Sequence, residues 1–116
     1  MKTRQHLRVP LPLPVRIKAL ESNNDFELAH LEDISWGGVF VRREPPLPLG
    51  KRVIIQFLMR DDAVALEIWG NVVRVREAKV GRSGGNGIQF SELDDATRSL
   101  IQKMVISIIQ PLFPPS

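Results

Sequence analysis

Apolar and polar residues alternate through most of the chain, in six successive runs. Val15-Arg16-Ile17-Lys18-Ala19 has the period of two expected of a strand with one wet face. Glu21-Ser22-Asn23-Asn24-Asp25 is a turn cluster, after which Phe26-Glu27-Leu28-Ala29-His30-Leu31-Glu32 resumes the pattern and predicts a first hairpin. Residues 33–38 break the alternation, Val39-Phe40-Val41 takes it up again, and the prolines of Glu44-Pro45-Pro46-Leu47-Pro48-Leu49-Gly50 force a loop. Arg52 to Met59 is rich in β-formers, Asp61-Asp62 is a turn, and Leu66 to Val75 predicts a long strand with a bulge at Gly70. Gly81 to Gly87 reads as a flexible loop before a last strand, Ile88 to Phe90. Strands in such close succession predict a mainly β fold, a small six-stranded antiparallel β-barrel.

Only the end changes period. Leu93, Ala96, Leu100, Ile101, Met104, Val105 and Ile108 recur at helical spacing, Asp94 and Asp95 sit where a helix N-terminus favours negative charge, and Pro111 stops the run. Ile106, Ile109, Leu112 and Phe113 widen the apolar surface. A helix capping the barrel mouth is the preferred reading, with a homodimer contact as the secondary one. At the other end, Val9-Pro10-Leu11-Pro12-Leu13-Pro14 forbids a helix and favours extended backbone. This divides one domain into an N-terminal arm and hinge over residues 1–14 and a barrel with its closing helix over 15–116.

A chain of 116 residues with 43% apolar content can bury a core without staples. It has no cysteine, which excludes disulfides and thiolate metal sites. No signal peptide and no apolar run of the roughly 20 residues that span a bilayer is present, so a soluble cytoplasmic protein is expected. The two histidines, His6 and His30, are too few for a zinc site; exposure is the default for His6 and packing for His30. The glycines of 81–87 lack the ending of a phosphate loop and precede a strand. No serine–histidine or paired-carboxylate arrangement is defensible, so catalysis is not expected. Net charge is only +3, yet Lys2, Arg4, Arg8, Arg16 and Lys18 all precede the first acidic residue, Glu21.

Two short patterns give that basic arm a chemistry. Arg4-x-x-x-Arg8 supplies two guanidiniums, each able to bond the O6 and N7 edge of guanine, stack on its face or pair with a phosphate. Asp33-Ile34-Ser35-Trp36-Gly37-Gly38 supplies the opposite polarity: a carboxylate accepts where guanine's ring N–H and amine donate, and Gly38 permits a tight turn. Together they suit an anionic guanine ligand.

These patterns resemble the signature of the bacterial PilZ domains, R-x-x-x-R followed by D-x-S-x-x-G, and no signature position departs from it. Val9-Pro10, the Gly87-Ile88-Gln89-Phe90 stretch and the closing helix look similar too, so the resemblance covers nearly the whole chain. It implies a non-enzymatic receptor for cyclic di-GMP acting in bacterial second-messenger signal transduction. Arg4 and Arg8 would bind guanine and phosphate, Asp33 and Ser35 would hold a guanine from the other side, and Gly37 and Gly38 would shape the loop. Trp36, at a variable position, either stacks on a base or packs against the arm. Trp69 falls to core or rim, with lining the ligand face as a minority reading; His6 is a secondary candidate. The ligand would order the arm, from Met1 to about Val9, and the signal would leave through an unidentified effector protein. No metal or further cofactor is implied. Two alternatives remain: a nucleotide-independent adaptor of the same fold, whose signature should be broken, and a basic nucleic-acid-binding barrel, suggested by a pI near 9.8. The latter is disfavoured by an aromatic content of 6% and the low net charge.

Overall fold

The structure, a computed structural model, describes residues 9–10, 13–58, 61–91 and 93–109. Its strands are β1 (Val9–Pro10), β2 (Pro14–Ala19), β3 (Glu27–Ile34), β4 (Gly38–Arg42), β5 (Arg52–Leu58), β6 (Val64–Arg76) and β7 (Gly85–Phe90), followed by helix α1 (Asp95–Ile109). The order β3-β2-β5-β6-β7-β4 closes through a β3–β4 pairing, so six antiparallel strands form the expected barrel. The two-residue β1 is an addition. It lies on the same edge of β3 as β2, with Val9 opposite Ile34 and Pro10 opposite Asp33.

Alternation sorts the side chains. Val15, Ile17, Leu31, Ile34, Val39, Val41, Val53, Ile55, Val72 and Ile88 are almost wholly buried inside the barrel. Burying each such side chain contributes roughly 1.5–3 kcal/mol. Asn86, one of two buried polar residues among the described residues, ties the proline-rich β4–β5 loop to β7: its Oδ1 accepts from Leu47 N–H at 2.8 Å and its Nδ2 donates to the Leu47 carbonyl at 2.9 Å. Helix α1 starts on an Asp94 cap whose Oδ1 accepts from Thr97 N–H at 2.7 Å, which lowers the Asp94 pKa. Ile101 enters the core, with Leu93 and Met104 packed beside it. Ala96 and Leu100, expected on the buried stripe, are exposed instead. Among the described apolar side chains of the helix, Ile101 is buried, Met104 half-buried, and Ala96, Leu100 and Ile106 exposed.

Several expectations need correction. The long strand β6 is bulged at Ala65 and Val73 and not at Gly70, which keeps regular partners in Val53 and Phe90. Gly70 serves close packing: a Cβ there would lie 2.7 Å from the Gln89 carbonyl oxygen and from Ile88 Cγ2. The supposed flexible glycine loop shrinks to a turn around Lys79–Arg82, because Gly85 and Gly87 belong to β7. Asp33 and Ile34 belong to β3, leaving only residues 35–37 as the connection to β4. His30 is exposed on β3, not packed. Met59, Pro111, Leu112 and Phe113 lie outside the described residues, as do the side chains of Val105, Ile108 and Ile109.

Candidate functional site

A bulge in β3 creates the site. Leu31 and Ile34 both point into the core although two residues separate them, so Glu32 and Asp33 share the outer face. Glu32 grips Arg76 in a bidentate pair, Nη2 to Oε1 at 2.8 Å and Nη1 to Oε2 at 3.0 Å, and accepts from Arg42 Nε at 3.3 Å. The Arg76 guanidinium holds the Glu32 carboxyl below the ordinary carboxylate pKa, against the opposing effect of burial. Glu32 in turn raises the Arg76 pKa, and Asp33 adds a smaller push in the same direction.

Beneath this pair lies an aromatic floor. Phe40 faces outward between the inward Val39 and Val41, yet it is only 3% exposed. The Arg76 guanidinium covers its ring at 4.1 Å from the centroid. Gly85 and Gly87 of β7 leave room for the ring and for the arginines; a Cβ on Gly85 would stand 2.7 Å from Phe40 Cε1. Cross-strand pairs extend this floor into a row: Pro10, Asp33, Phe40, Gly87 and Arg74.

The β3–β4 turn closes one end of the site. Ser35 N–H donates to the Gly38 carbonyl at 2.9 Å, and Ser35 Oγ donates to the same oxygen and accepts from Gly37 N–H, both at 3.3 Å. Gly37 accepts from Phe90 N–H at 2.9 Å, and a Cβ on Gly38 would be 2.2 Å from the Ile88 carbonyl oxygen. Ser35 and Gly37 pin the turn and Gly38 allows β7 to approach, so these positions have architectural duties whatever they bind. Trp36 projects from the turn, 40% exposed.

The structure thus brings Asp33, Ser35, Trp36, Gly37 and Gly38 together on one rim. Arg4, His6 and Arg8 lie outside the described residues. Trp69 is not core: half exposed on the outside of β6, it stands 6.0 Å from the Arg52 guanidinium. It lines a separate depression of about 450 Å³ with Glu67, Ile68, Ser91, Leu93, Asp94 and Thr97, none of them a signature residue. Sequence reading missed Glu32, Phe40 and Arg76. Their only signal is Arg74-x-Arg76 with Gly85-x-Gly87, two long cations that come to face two missing side chains once the β6–β7 register is known. Among the described residues no cluster of His, Asp and Glu could hold a metal ion, and no helix is long and apolar enough to cross a membrane.

The sequence profile of the family described as PilZ domain matches residues 2–107. Among solved structures the chain is similar to the PilZ domain with c-di-GMP of YcgR from Escherichia coli, at 19% identity and a TM-score of 0.75, over 96% of this chain and 95% of that one. It is similar to the inhibitor of motility MotI/DgrA of Bacillus subtilis, at 20% identity and a TM-score of 0.71, over 99% of this chain and 55% of that one. It also resembles the MrkH–c-di-GMP complex of K. pneumonia, at 17% identity and a TM-score of 0.73, over 97% and 55%. The chain spans about half the length of these last two, and at such identities the likeness is one of fold. No curated protein matches the chain.

Proposed function

The chain belongs to the PilZ domain family, and on that premise we propose that it is a cytoplasmic receptor for cyclic di-GMP with no catalysis of its own. The ligand sits on the outer barrel face beside the β3–β4 turn. Asp33 accepts from a guanine's ring N–H and amine, and Ser35 keeps the turn in shape while offering its hydroxyl. Arg4 and Arg8 approach from the opposite side with guanidiniums for guanine edges and phosphates.

The observation that carries this reading is the register of β1. Val9 pairs with Ile34 and Pro10 with Asp33, and Val9 directly follows Arg8 in the sequence. The segment that follows the second arginine is therefore paired with the end of β3 that carries Asp33, which supports a ligand shared by the two motifs. Among the described residues of 1–14, Val9 and Pro10 pair with β3, the Leu13 carbonyl accepts from Leu31 N–H at 2.8 Å and Pro14 opens β2; a ligand that bridges both motifs adds to these contacts and draws the arm over the barrel 15–116. The arm's altered conformation then presents or hides a surface for a partner protein.

Titration calorimetry tests the reading. Cyclic di-GMP should bind, GTP and a linear guanine dinucleotide should bind much less well, and Arg8→Ala should weaken binding about tenfold to a hundredfold, the worth of charge-assisted hydrogen bonds. Unchanged affinity in folded Arg4→Ala and Arg8→Ala proteins would sink the assignment. Equal amide protection of residues 1–9 with and without ligand would remove the arm as the switch.

A further inference from the structure

Most arginines on the outer barrel face have a partner. Arg42 and Arg76 share Glu32, Arg43 pairs with Glu27, and Arg52 stands over Trp69. Arg74, like Arg52, has an aromatic neighbour but no ion-pair partner among the described residues, and it is exposed. Its stem lies across the opposite glycine, since a Cβ on Gly87 would be 2.9 Å from Arg74 Cβ, 3.7 Å from Cγ and 3.6 Å from Cδ. The guanidinium carbon ends 5.6 Å from the centre of the Phe40 ring. The side chain therefore leans from β6 over β7 toward β4, along the row that ends at Asp33.

Three strand spacings separate Arg74 from Asp33, about 14 Å between Cα atoms, and the lean shortens the gap between their charges. Between them the surface is formed by the Arg76 guanidinium, which lies on the buried Phe40 ring at 4.1 Å and is held there by Glu32, and by the Arg74 stem across Gly87. A carboxylate bounds one end and an uncompensated cation the other, because Glu32 is already engaged by Arg76 and Arg42. Such a pairing of charges on one face matches a ligand with a donor-rich base edge at one end and a phosphodiester toward the other. We infer that Arg74 is a third cationic contact of the site, pairing with a phosphodiester of the nucleotide whose guanine Asp33 holds. The inference rests on the receptor reading above.

The test is calorimetric titration of cyclic di-GMP at several salt concentrations into the unaltered chain, Arg74→Gln, Arg74→Lys and Asp33→Ala, with circular dichroism of each as a check on folding. Arg74→Gln should bind at least about tenfold more weakly and with a flatter salt dependence, while Arg74→Lys, which keeps a point charge for the phosphate, stays within about threefold of the unaltered chain. Undiminished binding by Arg74→Gln beside a loss in Asp33→Ala overturns this inference and leaves the receptor reading intact. Equal weakening by Gln and Lys overturns the phosphate pairing. No binding by the unaltered chain overturns the receptor reading and this inference with it.

Discussion

Strands β2 and β5 fill their side of the barrel by adding side chains, whereas β4 and β7 build theirs by removing them. On the first side Val15, Ile17, Val53, Ile55 and Phe57 point inward while Arg16, Lys18 and Gln56 face outward. On the second, Gly38, Gly85 and Gly87 let neighbouring backbone and arginine stems approach closer than any Cβ would allow. The first arrangement stabilises through apolar area and the second through proximity. Only the second leaves an outward floor on which Phe40, Arg74 and Arg76 can lie beside Asp33. The side with the fewest side chains is the one that bears the proposed site.

The contrast is sharpest at Gly85. A Cβ there would meet the Val41 carbonyl oxygen at 2.3 Å, and backbone cannot swing aside as a side chain can. Gly85→Ala should cost about 4 kcal/mol or more, or abolish folding, as overpacking against backbone does. On the other side Ile55→Ala leaves a cavity and should cost about 3 kcal/mol. Urea midpoints measure both; a Gly85→Ala cost below that of Ile55→Ala would erase the distinction between the two sides.

Glu32→Gln separates the outer-face ion pair from the packing beneath it. Losing a bidentate partner of Arg76, whose side chain is 10% exposed, should cost about 2 kcal/mol. The sign with pH follows from the direction of the shift. A carboxyl whose pKa is lower in the folded chain stabilises it above the unfolded value of 4.5, and that contribution disappears as pH falls through the folded value. Stability measured from pH 7 downward should therefore fall less steeply below 4.5 in the variant. Parallel curves would mean that Glu32 does not hold the arginines in solution.

The smallest effect is expected at Gly81, where a Cβ meets nothing within 4 Å but φ is +81°. Gly81→Ala should cost about 1 kcal/mol, the penalty of left-handed backbone alone. If it proved as damaging as Gly85→Ala, the two kinds of glycine would not be separable by space and dihedral.

By itself the sequence determined the six strands, the closing helix and both signature motifs, because a period of two, a period of 3.6 and short turn clusters are local properties of neighbouring residues. Val15 to Ala19 or Arg52 to Leu58 needs no partner to reveal which side is wet. It could not tell a flexible glycine from a packed one: Gly81 and Gly85 stand four positions apart in the same run, and only the strand opposite each distinguishes them. Nor could it find the bulge that turns both Glu32 and Asp33 outward, since the extra residue is defined against the partner strand. Asp33 was therefore legible as chemistry while Phe40, Arg74 and Arg76 around it were not. Their meeting depends on register across β4, β7 and β6, long-range pairings that the closed barrel decides and local pattern does not.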